Sequence, residues 1–253
     1  MRIVAPTRFE LRKLASSIDR VTAPSPTERI ESLAIPRERS FRTAEKIAAG
    51  LGSALVVVAL LIIWLARLSI PRAMYVSELG AQGEKTAGWF ELALLLIVVA
   101  GVLIGWSARR LRSSLRILSF WTPAISLWIG SSFFLVASQV TCTLTCPIPY
   151  GPEFTWQDFI HTNCAVLAFA FACLAMLQCA FAAGHKALRV FSMTACILVA
   201  LIAGLGGILS LAHFATDFGS ACELVATTIA LAWLGVLGVY LISQRTTAEP
   251  DAG

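Results

Sequence analysis

Six stretches of the chain are apolar on every face for about twenty residues each: 47–66, 87–108, 117–140, 159–183, 190–212 and 221–243. Runs of that length match a helix crossing a hydrocarbon layer of about 30 Å, so each is read as a membrane helix. A spanning sheet would need closed strands of alternating apolar and polar residues, which these runs do not show. The fold class expected is therefore all-α, a polytopic membrane protein built as a bundle of six transmembrane helices. Pro123 and the glycines Gly204, Gly206 and Gly207 interrupt the runs. Such residues are tolerated in lipid where neighbouring helices satisfy the backbone, and Ala203 with Gly207 predicts a close helix contact.

Lysine and arginine fix the expected orientation. With six crossings, seventeen of the twenty fall on one side: residues up to Lys46, then Arg109, Arg110, Arg112, Arg116, Lys186, Arg189 and Arg245. Arg67, Arg72 and Lys85 remain on the other. Basic segments mark the cytoplasmic face, so both termini are expected inside the cell. The domains expected are a basic cytoplasmic tail (1–46), the six-helix domain (47–243) and a short cytoplasmic C-terminal tail (244–253). In the first tail, Phe9, Leu11, Leu14 and Ile18 share one face of a short basic helix suited to an anionic membrane surface. The Pro- and Ser-rich stretch 22–38 favours disorder instead. The tail lacks the form of a secretory signal, so the first helix is expected to stay uncleaved, and the tail is a candidate contact for a protein partner.

Composition changes the picture in one respect. With 57% hydrophobic and 14% charged residues, the chain is far from a water-soluble domain. The net charge of +5 is a topological signal, with no interleaved basic and aromatic stripe to suggest nucleic acid. Membrane lipids are the expected partners, with no nucleic acid. No phosphate-binding loop, nucleophile elbow or haem-attachment motif is present.

Ionisable residues near the extracytoplasmic helix ends carry the candidate chemistry, because charge inside or beside the membrane is costly and faces a protein interior or cavity. Glu91 lies near the outer end of the second helix, Asp158 and His161 open the fourth, His213 closes the fifth with Asp217 just beyond, and Glu223 opens the sixth. The spacings 158/161 and 213/217 place each pair on one helical face. Three readings stand side by side: a divalent-metal or catalytic centre, a buried polar network between helices, and ordinary interfacial groups that snorkel to water. No cofactor is expected beyond a candidate divalent metal, with His161, His213 and Asp217 as the candidate ligands. Of the seven cysteines, Cys142 and Cys146 fall in an outer connection, where a disulfide or a metal pair is expected; the other five read as small apolar packing residues.

The segment Tyr75-Val76-Ser77-Glu78-Leu79-Gly80-Ala81 resembles the Ser-acid-x-Gly signature of a bacterial six-helix membrane family known only as domain of unknown function 998. So does the outer connection of Cys142, Cys146, Pro147 and Pro149, followed by Asp158 and His161. The helix face His161, Ala165, Phe169 is also similar to the damage-regulated autophagy modulators, and Glu223 matches an acidic position opening their last helix. The chain departs from that second pattern at Glu78, where aspartate is more usual, and after Glu223, where a tryptophan is missing. The resemblance implies six helices with their distinctive residues at the extracytoplasmic face, in a bacterial cell membrane, and supplies no reaction. The function expected is a non-enzymatic membrane protein that binds or organises lipid, with Ser77, Glu78, His161, His213 and Glu223 lining a headgroup-level pocket. The alternatives are a metal-dependent lipid hydrolase resembling the alkaline ceramidases, with Asp158 as general base, and a small transporter.

Single-site labelling in intact cells tests the orientation. A probe at His185 is expected to be protected from impermeant reagent and one in the Cys142 connection to react; the reverse pattern overturns this topology.

Overall fold

The computed structural model describes residues 26–144, 146–147 and 152–244, with side chains from residue 43 onward. The described elements are α1 (Pro26–Leu68), a single 3₁₀ turn (Ser77–Gly80), α2 (Ala87–Ala108), α3 (Pro123–Gln139), α4 (Trp156–Ala180), α5 (Lys186–Leu211) and α6 (Thr216–Ser243). Among the described residues the only strand-like pairing is an isolated bridge between Ser113 and Ala182. The chain divides into two compact units, Met1–Ala44 and Glu45–Gly253. In the first, the backbone is helical from Pro26 on, where the stretch 22–38 favoured disorder. Pro26 starts the helix where its missing N–H is not needed. The face formed by Phe9, Leu11, Leu14 and Ile18 lies outside the described residues. Everything below concerns the second unit.

Among the described residues, five helices are long and apolar enough to cross a membrane: Thr43–Leu68, Ala87–Ala108, Trp156–Ala180, Lys186–Leu211 and Thr216–Ser243. The chain is thus a multi-pass membrane protein in outline. The third apolar run is shorter as a helix than as a pattern, because α3 begins only at Pro123 and has 17 residues. Proline fixes its own φ for a helix start and drives the residue before it out of the helical region; Thr122 accordingly sits at φ −83°, ψ 160°. Pro123 therefore opens a helix and does not kink one. Other helices run past their apolar stretches. α4 starts at Trp156 because the Thr155 side chain accepts the Asp158 N–H as an N-cap, and α6 starts five residues before its apolar run.

The inner faces of these helices form one core that includes Val56, Ile63, Ile97, Ile104, Met176, Val199, Trp233 and Leu237. Large apolar side chains such as Leu61, Val99, Leu201, Ile208 and Val239 point outward and stay exposed. An apolar exterior on this scale is what a hydrocarbon solvent demands. Buried polar groups are paired across helices. The Ser126 hydroxyl donates to Gln178 Oε1 at 2.8 Å, Gln178 Nε2 donates to the Trp121 carbonyl at 3.2 Å, and Trp233 Nε1 donates to Ser192 Oγ at 3.0 Å. At the end bearing Glu45, its carboxylate meets Arg109 at 2.6 Å and Arg110 at 3.5 Å.

Glycine sets the approach of α5 to α6, at a different position from the expected one. A Cβ added at Gly206 would lie 3.1 Å from Cys222 Cβ and 3.2 Å from the Gly219 carbonyl, whereas Gly204 and Gly207 have nothing within 4 Å. The Ala203/Gly207 pair is not the close contact, because Gly207 faces outward. Gly206→Leu is expected to destabilise the bundle by about 1–3 kcal/mol through overpacking against backbone. Gly207→Leu should leave thermal unfolding in detergent nearly unchanged.

Candidate functional site

Two connections and three helix ends build one end of the bundle. In the first connection, Glu223 of α6 accepts the Val76 N–H at 2.7 Å. Val76 caps the start of the 3₁₀ turn, so an acidic side chain two turns into α6 satisfies an amide that a short helix leaves open. Glu223 is thus inside its helix, where the apolar pattern put it at the start; the polar residues 216–220 extend the helix beyond the lipid-facing run. Tyr75 is seated against α6, with its hydroxyl 2.7 Å from where a Gly219 Cβ would be. Burial pushes the Tyr75 phenol above its ordinary value.

Glu78 faces away from this contact. Its Oε1 accepts the Tyr75 N–H at 3.2 Å, and Arg72 reaches Glu78 at 3.3 Å and Glu84 at 2.6 Å. Burial raises the Glu78 carboxyl above the usual range, and the Tyr75 N–H and the Arg72 guanidinium oppose that shift. Leu79 beneath it is wholly buried, and Thr86 donates to the Leu79 carbonyl at 2.8 Å. The first connection is joined to the second by the Gln82 N–H, which donates to the Cys142 carbonyl at 2.9 Å.

In the second connection a disulfide joins Cys142 and Cys146. Asp158 is fully buried, and both of its oxygens are engaged: Oδ1 accepts the Thr143 N–H at 2.8 Å, and Oδ2 accepts the Thr143 hydroxyl at 2.8 Å and the Thr155 hydroxyl. An aspartate with this many donors positions the loop between α3 and α4. One turn along α4, His161 is 4% exposed, and its Nδ1 lies 3.0 Å from the Ala137 carbonyl and 2.8 Å from that of Val140. It closes the C-terminal end of α3, where carbonyls lose their helical partners.

Between these two clamps lies a cavity of about 90 Å³. Ser77, His161 and Glu223 line it toward the two connections, and Phe90, Phe169 and Trp233 are among its apolar walls. Three of the expected pocket residues therefore converge. Glu78, Glu91, Asp158, His213 and Asp217 are not among the lining side chains. His213 and Asp217 are exposed, and the pair does not share a helical face: α5 ends at Leu211, and His213 (φ 50°) and Ala215 (φ 47°) adopt left-handed conformations that turn the chain into α6. The expected ligand set of His161, His213 and Asp217 is not assembled. Among the described residues, the trio with donor atoms all within 4.8 Å of one another is Cys142, Cys146 and His161.

Sequence reading found Asp158, His161 and Glu223 and missed the partners they engage. Thr155, three residues before Asp158, is a capping signature that could have been recognised. Thr143 and Tyr75 carry no such signal. No protein-family model matches the chain, and neither does any curated protein or solved structure.

Replacing Glu223 with alanine leaves the buried Val76 amide at the start of the 3₁₀ turn unpaired, an effect of about 1–3 kcal/mol. The expected outcome is faster hydrogen exchange at residues 76–80 in Glu223→Ala, with Glu223→Gln in between; unchanged exchange would show that the carboxylate does not hold the turn.

Proposed function

We propose that the chain crosses the membrane six times with both ends in the cytoplasm and binds a lipid, without catalysing its conversion, by admitting part of the molecule to the bundle cavity. The observation that carries this reading is an apolar space of about 90 Å³ ending on Ser77, His161 and Glu223. Pockets for amphiphiles combine apolar walls with a few fixed polar groups, and this one has that division. Its volume suits a segment of hydrocarbon chain, so the remainder of the lipid lies between helices or in the bilayer. α3 with its flanking apolar residues serves as the sixth crossing, and the one-sided distribution of lysine and arginine supports the orientation.

A bacterial cell membrane is the setting that the resemblance of the Ser77–Gly80 segment suggests. A non-catalytic role is favoured by the engagement of two carboxylates, the buried Asp158 and the half-buried Glu223: Asp158 is committed to Thr143 and Thr155, and Glu223 to the start of the 3₁₀ turn. In this reading Glu78, Glu91, His213 and Asp217 set the polarity around the bundle end and do not line the pocket.

Purified protein, extracted and analysed by mass spectrometry, is expected to carry a lipid at defined stoichiometry. Ala165→Phe, which fills the cavity from α4, should lower that recovery roughly tenfold while the thermal transition is retained. Equal lipid in the filled and unaltered proteins, both folded, would overturn the reading.

A further inference from the structure

Cys142, Cys146 and His161 form a cluster that the lipid reading uses only in part. Their donor atoms all lie within 4.8 Å of one another, with Cys142 and His161 buried and Cys146 half-buried. The hydrogen bonds around His161 decide which of its nitrogens is available. Nδ1 faces two carbonyl oxygens, from Ala137 and Val140, and a carbonyl can only accept. Nδ1 therefore carries the proton in the neutral ring, and the lone pair resides on Nε2. A histidine whose Nδ1–H is fixed by a main-chain carbonyl is oriented and made more basic at Nε2, the arrangement found behind metal-bound imidazoles.

The backbone that positions the cysteines is held independently of the bond between them. Asp158 grips both the N–H and the hydroxyl of Thr143, next to Cys142, and the Cys142 carbonyl accepts from Gln82. Opening the disulfide would leave these restraints in place, so the sulfur of Cys142 stays near His161 in either oxidation state.

We propose that reduced Cys142 and Cys146, together with the imidazole of His161, form a three-donor site for a thiophilic cation of the Zn²⁺ class, and that the disulfide is the metal-free state of a redox-controlled site. Two thiolates and one imidazole suit Zn²⁺ and leave a fourth position for water or another ligand. Reduction of the Cys142–Cys146 bond consumes two electrons and two protons, supplied by a dithiol that is itself oxidised to a disulfide. Metal binding then releases the two thiol protons and leaves two thiolates on the cation. The proposal does not rest on the lipid reading, and its test reads metal alone.

The full chain, reduced in detergent and freed of reductant, is titrated with Co²⁺ as a spectroscopic stand-in for Zn²⁺. About one equivalent should bind with a thiolate charge-transfer band, and Zn²⁺ should abolish that band. The oxidised protein should show none. His161→Asn keeps an amide N–H where Nδ1–H was and removes the imidazole ligand; its affinity is expected to fall roughly tenfold or more, with the thermal transition preserved. The double variant Cys142→Ser, Cys146→Ser should lose the band. Persistence of the band in that double variant would place the metal on other cysteines and overturn the proposal. Equal affinity in folded His161→Asn would overturn it as well, as would equal binding by the oxidised protein.

Discussion

Hydrocarbon offers no partner to a hydrogen-bonding group, and that constraint organises the whole of the Glu45–Gly253 unit. Ser126 and Gln178 pair across α3 and α4, Ser192 and Trp233 across α5 and α6, and Ser53 of α1 donates to the Gly235 carbonyl of α6 at 3.0 Å. Each pair links helices that apolar packing alone would leave free to rotate, because lipid tails compete with leucine on equal terms. The same rule explains the two clamps at the disulfide end. Short connections expose amides and carbonyls close to the membrane, and Glu223, Asp158 and His161 answer them. Residues that looked like chemistry in the sequence are therefore first of all the partners of the backbone, and the cavity between the clamps follows from where they are placed.

Helix number and class were legible because lipid-facing residues leave an uninterrupted apolar record, and α2 coincides with its run of 87–108. Helix ends were less legible. A helix continues past its apolar stretch wherever a cap supports it, so Asp158 and Glu223 became residues within helices. α3 shows the opposite error, since hydropathy runs through 117–122 while Pro123 delays the helix. Among the site residues, His161 and Glu223 were found because acids and imidazoles at that level of the helix ends are few, and Ser77 was found through the resemblance of its segment. His213 and Asp217 shared that depth, but left-handed backbone at His213 and Ala215 turned them outward, and no residue type there announces such a turn. Depth is readable from order along the chain, whereas azimuth around a helix needs the contacts.

His161 connects the two readings of this end. One face of its ring terminates α3 through two carbonyls, and the side chain also lines the cavity and lies beside the two sulfurs. A single residue thus couples the closing of a helix, the polarity of a pocket and the surroundings of a disulfide. The chain of contacts continues through Cys142 and Gln82 to the 3₁₀ turn and Glu223, so the two connections behave as one hydrogen-bonded cover.

At the opposite end of the bundle the connections are stitched by main-chain atoms: Ser114 N–H donates to the Phe181 carbonyl at 2.8 Å, beside the bridge between Ser113 and Ala182. Arg112 and Arg116 project from this stitched backbone into the open. Because the loop's shape is secured without their side chains, substitution of those cations carries little penalty to folding. The charge of that surface is in that sense separable from the scaffold beneath it.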